Sequence, residues 1–388
     1  MLDPKATFLG LLDPGGARLA FRSSSDRSVV GQGADEIEVH VHKGRMYQRA
    51  LSAGNLGLGE AFMDDDFDCE RLPELLTALL RARIDRRIKA DLPTLARVAA
   101  LQIEHRVRGD HANVRAHYDI GEALYASFLD STLTYSCGYA LDPADDLEAL
   151  QAQKLDRICD KLRLAPGDRL LDIGCGYGGL LIHAAARHGV TGVGISVSRE
   201  HAAGARARIA VAGLAHRITI EIADHRTLGG TFDKVVSVGM MEHLPRREYG
   251  RYFDGIARVL RPGGLGLVHV IGCNGPTNDH DPFIQRYIFP GTAQPKLSEI
   301  ASHLEDRGLA ILDVENMIRH YALTLTRWRE RFLANAAVLD PACYDRRFRR
   351  MWDYYLSCGT AAALASDSAL YQVLFTSDCA GPIPLRRV

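Results

Sequence analysis

The chain has 388 residues, of which 47% are hydrophobic and 24% charged, with a formal net charge of −1. That length suits two or three domains with sizeable cores, and the composition is that of an ordinary soluble globular protein. There is no basic excess to favour nucleic acid, no basic-then-apolar N-terminal segment, and no apolar run near the ~18 residues of a membrane span, so any membrane contact is expected to be peripheral. The eight cysteines form no C-x-x-C pair, and a reducing cytoplasm is the simplest setting for them.

Residues 1 to about 80 differ in texture from the rest. Ala17–Arg22 and Ile37–His42 alternate in polarity as half-buried strands do. Ser52 to Asp68 reads as a small-residue turn followed by a short segment and an acid cluster of Glu60, Asp64, Asp65, Asp66 and Asp68. The cluster's spacing matches no EF-hand loop, so a solvated loop is expected in preference to a hard-cation site. Leu72–Leu80 is predicted to be an amphipathic helix. The basic run Arg81–Lys89 suits either a helix on anionic lipid or the solvated face of an interdomain linker.

Beyond a helical Leu92–Val107 segment, Asn113–Asp130 and Leu133–Tyr139 pack aromatics, a histidine and a thiol densely, as the wall of an apolar pocket would. Gln151–Leu162 is a predicted helix. The stretch Leu170–His183 then joins an apolar run to a glycine-rich turn and a helix. Gly174, Gly176 and Gly179 fit G-x-G-x-x-G, in which glycines let backbone N–H groups and a helix N-terminus approach a ligand. A dinucleotide site would want a carboxylate at the end of the second strand, and Ser196 and Ser198 stand there instead. Asp172 ahead of the glycines gives the Asp-x-Gly-Cys-Gly pattern of S-adenosylmethionine (SAM) methyltransferases.

Apolar runs at Leu170–Ile173, Val190–Val197, Ile218–Ile222, Val235–Val238 and Leu265–Ile271 alternate with helical stretches such as His201–Ala212 and Tyr249–Leu260. This is the pattern of a parallel, doubly wound sheet, whose ligand site lies outside the strands' carboxyl ends. Those ends carry Gly174, Ser196, Asp224, Glu242 and Gly272. An aromatic insertion, Cys273–Gly291, is expected to pack over that rim. A helix over Leu297–Arg307, a strand over Ala310–Met317 and a helical tail complete the reading. In the tail, Arg346, Arg347, Arg349 and Arg350 suit either phosphate recognition or a solvated face.

Taken together, His117-Tyr-Asp-x-Gly121, Tyr135–Tyr139, Leu171–Gly179, Ser237–His243, His269–Gly272, Tyr287–Gly291 and His320-Tyr321 with Trp328 resemble the cyclopropane fatty acyl phospholipid synthase family. That family also contains the mycolic acid cyclopropane synthases. Gly57–Asp64 resembles the N-terminal lipid-binding domain of the bacterial phospholipid enzymes, which the mycolic branch lacks. The resemblance implies an α/β fold. A smaller N-terminal α+β lipid-binding domain with its basic linker would occupy residues 1–92, and a Rossmann-like, doubly wound class I methyltransferase domain residues 93–388.

It also implies a reaction: the SAM methyl goes to a cis double bond of an acyl chain in a phospholipid, and loss of a proton closes the ring. The family's base is a bicarbonate ion held by residues matching Cys137, Glu242, His269, Ile271 and Tyr321. For the cofactor, the resemblance points to Tyr135 and Ser136 over the methionine end, and to Asp172, Gly174 and Gly176 at the loop. Ser196 would lie near the ribose, and Asp224 with His225 around the adenine. The chain departs from the family's pattern at His201, usually Gln and kept here as a cofactor contact, at His225, commonly Tyr, and at Glu122, usually Asn. No metal is implied. The expected partner is an unsaturated phospholipid at the inner face of the membrane, met by a homodimer. Two other readings stay open: a sister enzyme giving a methyl-branched or methylene product, and a non-catalytic lipid- or SAM-binding protein.

Overall fold

The computed structural model describes residues 3–13, 16–84, 121–276 and 280–378. The expected domain boundary at 92/93, most of the basic run, the Leu92–Val107 helix and the block up to Ile120 lie outside them. The described residues fall into two units: one draws on Met1–Phe128, His280–Pro290 and Trp328–Ser366, the other on Leu129–Asp279, Gly291–Arg327 and Asp367–Val388.

In the first unit, α1 (Pro4–Leu11) is capped by Asp3 and followed by β1 (Arg18–Arg22), β2 (Arg27–Val30) and β3 (Glu36–Val41). With β4 (Phe67–Asp68) they form a sheet of order β2-β1-β3-β4. Along β3, Ile37, Val39 and Val41 are buried while the residues between face outward, as the alternation predicts. The stretch read as a small-residue turn is instead the second half of a helix, α2 (Arg45–Met63), kinked at Gly54 with φ 58° and ψ −133°. Its glycines serve close approach rather than a turn: a Cβ on Gly59 would lie 2.4 Å from the Phe283 ring. Helices α3 (Leu72–Arg81) and α4 (Glu122–Phe128) follow in the chain.

The acid cluster is not simply a solvated loop either, although Asp65 and Asp68 stay partly exposed. Asp66 is wholly buried and takes hydrogen bonds from Arg45 and Arg49, while Asp64 pairs with Arg49 and Arg347 and Asp65 with Arg346. Arg350 donates to the Phe62 and Phe67 carbonyls, pairs with Asp68, and lies 3.9 Å from the centre of the Phe62 ring. Arg349 caps the Leu339 and Tyr344 carbonyls. Arg346, Arg347 and Arg350 of the tail are thus partners of Asp65, Asp64 and Asp68 of the acid cluster.

The second unit is built on a seven-stranded sheet of order β10-β11-β9-β8-β5-β6-β7. Its helix α5 (Leu147–Leu162), capped by Asp146, leads into β5 (Arg169–Ile173); then come α6 (Gly179–His188), β6 (Thr191–Ser196), α7 (Arg199–Val211), β7 (Ile218–Ile222), β8 (Phe232–Val238), α8 (Tyr249–Val259) and β9 (Leu260–Cys273). The pairs β5–β6, β5–β8, β6–β7 and β8–β9 are all parallel, as expected. The connection reverses direction between β5 and β8, the switch point at which such sheets bind ligands.

In the first unit again, the insertion after β9 supplies α9 (Pro282–Tyr287), whose Phe283 lies 4.7 Å from the Tyr354 ring. Further on come α10 (Leu297–Glu305), β10 (Ala310–Asn316), α11 (Ile318–Asn335) and α12 (Arg346–Ala365). The tail is not helical throughout. Ser368–Thr376 forms β11, which lies antiparallel between β9 and β10. Its run from Ala369 to Thr376 is buried on both faces, which stabilises it as an interior strand even though it runs against its neighbours.

Candidate active site

The turn after β5 is set by backbone that side-chain-bearing residues resist: Gly174 has φ 84°, Gly176 φ 52° and Gly178 φ 77°. The N–H groups of Gly174 and Cys175 both donate to the Ile195 carbonyl, binding the turn to the end of β6, where Ser196 stands. A Cβ added at Gly174 would meet Met240 at 2.8 Å, whereas one at Gly176 would meet nothing within 4 Å. The turn therefore packs against the β8 end on one side and opens a backbone cradle on the other. Asp172, just before it, is 3% exposed, and burial pushes its carboxyl up to about 7.

The Tyr135-Ser136-Cys137 segment is gripped by α5. Gln151 donates to the Ser136 carbonyl at 2.8 Å and Lys154 to the Ser136 hydroxyl at 3.1 Å. Gly138 completes the grip, its N–H donating to Thr324 and its missing side chain making room for Leu150. Lys154 is 1% exposed. Burial depresses its ammonium to about 8, against the favourable fields of Asp130, Cys137 and Asp172. Sequence reading passed over it, although one signal existed: Lys154 falls on the stripe of α5 that carries Leu147, Leu150, Leu155 and Ile158, where a lysine has no solvent to reach.

Of the five candidate base-pocket residues, Cys137, Ile271 and Tyr321 meet in one cluster with Met317, Leu370, Tyr139 and Ile318. Glu242, in the short turn after β8, accepts the Ile271 N–H at 3.3 Å through Oε1. Its Oε2 is buried and has no partner among the described residues, and burial pushes the carboxyl up to about 7. His269 lies two residues before Ile271 on β9; its Nε2 is likewise buried without a partner among the described residues, while Nδ1 faces Gln372. Burial, reinforced by Lys154 and Lys161, keeps this imidazole neutral. Burial also raises the Cys137 thiol far above its ordinary range, so it is a hydrogen-bond donor and no nucleophile. A buried carboxylate oxygen and a buried imidazole nitrogen, each left open, suit a small polar ion able to give and take protons.

On the other side of the turn, Asp224 follows β7 and His225 opens a short 3-10 turn. Two guanidinium bonds from Arg226 hold the Asp224 carboxyl down to about 2, so its oxygens are already partly engaged. His225 is 9% exposed with Nε2 partnerless among the described residues. The His201 ring lies 4.8 Å from that of Tyr177 in the glycine turn. Tyr135 and Ser136 are partly buried, and a Cβ on Gly239 would sit 3.8 Å from both the Ser136 Cβ and Glu242 Oε1. Ser136 from the cofactor candidates and Glu242 from the base-pocket candidates therefore lie close together, around Gly239 after β8. The glycine cradle, the open His225 nitrogen and the Ser196 hydroxyl at the end of β6 fit SAM.

Residues 105–373 match the family model described as mycolic acid cyclopropane synthetase. The chain belongs to that family. It is 37% identical to the cyclopropane-fatty-acyl-phospholipid synthase of Escherichia coli strain K12, covering 92% of this chain and 93% of that one. It is 32% identical to a tuberculostearic acid methyltransferase of Mycobacterium tuberculosis over 92% of this chain and 86% of the other. Among solved structures, the mycolic acid cyclopropane synthase CmaA1 complexed with SAH and CTAB superposes with a TM-score of 0.62 at 27% identity, covering 69% of this chain and 98% of its own. The protein is accordingly an enzyme of the SAM-dependent methyltransferase type, with the α/β class I methyltransferase fold that the sequence predicts.

Proposed function

We propose that the enzyme transfers the SAM methyl to a cis double bond of an unsaturated acyl chain in a membrane phospholipid and closes a cyclopropane ring, with bound bicarbonate as the base. What supports this reading is the clustering of Cys137, Ile271 and Tyr321, the bond from the Ile271 N–H to Glu242, and the buried Glu242 Oε2 and His269 Nε2 that have no partner among the described residues. The phospholipid is supported by the likeness to the E. coli enzyme over nearly the whole of both chains.

Bound SAM supplies an electrophilic sulfonium methyl, and bicarbonate an oxyanion able to accept a proton. Tyr135, Ser136, Asp172, Gly174, Gly176, Ser196, His201, Asp224 and His225 bind and orient the first. An alkene is a weak nucleophile, so this orientation must hold it in line with the methyl. The new carbon–carbon bond leaves a cation on the acyl chain, and loss of one proton closes the ring. Cys137, His269 and Tyr321 hold the oxyanion where that proton leaves. Glu242, with a carboxyl near 7, orients the anion or accepts its own proton. Tyr139, Met317, Ile318 and Leu370 keep water from the pocket.

The test is incubation of the enzyme with SAM and vesicles of cis-monounsaturated phospholipid, followed by mass spectrometry and proton NMR of the fatty acids. A mass gain of one CH₂ with upfield ring methylene protons is the expected result. The tuberculostearic acid relative favours a second reading, and a methyl branch or exocyclic methylene would establish it. Absence of SAM turnover on every lipid would leave a binding protein. The same proposal makes the protein a peripheral homodimer at the inner membrane face, which vesicle flotation and light scattering check. Among the described residues no helix is long and apolar enough to cross a membrane.

A further inference from the structure

The antiparallel register of β9 and β11 sets Gln372 directly opposite His269. Gln372 is fully buried and His269 is 2% exposed. The Gln372 amide nitrogen lies 3.2 Å from His269 Nδ1. In this orientation of the amide, whose Oε1 has no partner among the described residues, the nitrogen donates and Nδ1 accepts, which puts the ring's single proton on Nε2. The ring is neutral, as burial and the two nearby lysines require. Its Nε2 is the atom left open among the described residues.

We propose that Gln372 is a positioning residue that fixes His269 as the Nε2–H tautomer and so makes it a hydrogen-bond donor to the anion beside Glu242 and Cys137. The inference rests on the reading of this pocket as an oxyanion site. An anion here already faces the acceptor-only carboxylate of Glu242 whenever that group is ionised, and the Ile271 N–H is spent on Glu242. The Cys137 S–H is likewise turned to the Gly138 carbonyl at 3.0 Å, so whether His269 gives or withholds a proton decides how the pocket receives an anion. With the proton on Nδ1 instead, His269 would present a lone pair to the anion and turn from donor to repeller. A side chain from the last strand of the sheet thereby sets the polarity of the base pocket without touching it.

The tautomer is read directly in the full-length enzyme labelled with ¹⁵N-histidine, from long-range proton–nitrogen spectra in which the His269 signals are those lost in His269→Gln. The expected wild-type pattern is a pyridine-like Nδ1 and a pyrrole-like Nε2. Gln372→Glu, which offers an acceptor, is expected to reverse it, and Gln372→Met to give a mixture. In carbonate-depleted enzyme, either variant is expected to raise the sodium bicarbonate concentration for half-maximal turnover at least tenfold, with SAH affinity by calorimetry within threefold of wild type. A wild-type Nδ1–H tautomer overturns the proposal, as does a tautomer unmoved in both variants. If the tautomers shift as expected while wild-type turnover ignores bicarbonate, Gln372 keeps its role and the bicarbonate reading falls. If His269→Gln does not fold, His269→Asn supplies the same assignment.

Discussion

The backbone N–H of Ile271 donates to Glu242 Oε1 across 3.3 Å, tying the turn after β8 to the end of β9. The second carboxylate oxygen is left open and buried. Because burial raises the carboxyl from 4.5 to about 7, the folded state keeps a proton between those values that the unfolded chain has released. Glu242's contribution to stability is therefore full below about pH 4.5 and is lost as pH rises through 7. Glu242→Gln is expected to match wild type at pH 4.5 and exceed it at pH 8 by up to about 3 kcal/mol, measured by denaturant titration at the two values. The same variant is expected to lose roughly a hundredfold or more in turnover. Equal pH dependence of the two proteins would place the ionised carboxylate in water.

Gly176 separates folding from binding. Its φ of 52° costs a side-chain-bearing residue about 1–2 kcal/mol, yet a Cβ there would collide with no protein atom. Gly176→Ala is expected to lower unfolding free energy by about that amount and SAH affinity at least tenfold, the latter read by calorimetry. Unchanged affinity would remove this turn from the cofactor site.

Lys154 lies buried against Ser136. Its ammonium is depressed from 10.5 to about 8, so the stability it confers is present above about pH 10.5 and lost as pH falls through 8. Lys154→Met is therefore expected to be no less stable than wild type at pH 7 and to lose any advantage by pH 10.5. SAH affinity is expected to fall about tenfold, since a charge-assisted bond that holds Ser136 is gone and Asp172 loses its field. A destabilised variant with intact SAH binding would make Lys154 a purely structural residue.

In the first unit, Arg350 and Arg346 provide an internal contrast. Arg350 is mostly buried and satisfies two backbone carbonyls, while Arg346 is 73% exposed and, among the described residues, pairs with Asp65 alone. Arg350→Ala is expected to cost about 2–4 kcal/mol and Arg346→Ala less than about 0.5 kcal/mol, by denaturant titration. Comparable losses would show that the exposed pair bears as much as the buried clamp.

The parallel strands and the glycine turn were legible because their signals are local: apolar runs of strand length, and glycines at fixed offsets from Asp172. Helix α2 was hidden by Gly54, Gly57 and Gly59, which spell a turn in one dimension and a kink with close packing in three. The acid cluster read as a solvated loop, and the tail arginines stayed open between phosphate recognition and a solvated face, because Arg346 and Arg347 lie more than 280 residues from Asp65 and Asp64. β11 escaped notice because the strand–helix rhythm that marks a parallel sheet stops before it. Gln372 meets His269 only through the register of that strand, and Lys154 announces itself only by standing on an apolar face. The five base-pocket candidates were reached through the resemblance, since nothing in their spacing along the chain brings them together.

Strand β11 also orders events during synthesis. β10 reaches the sheet only through β11, and His269 finds its amide partner only there. A nascent chain that has delivered every glycine of the cofactor turn and every candidate of the base pocket still lacks a closed sheet edge until Thr376 leaves the ribosome. Until then β9 offers an unpaired edge, the kind of surface that chaperones cover and that aggregates exploit.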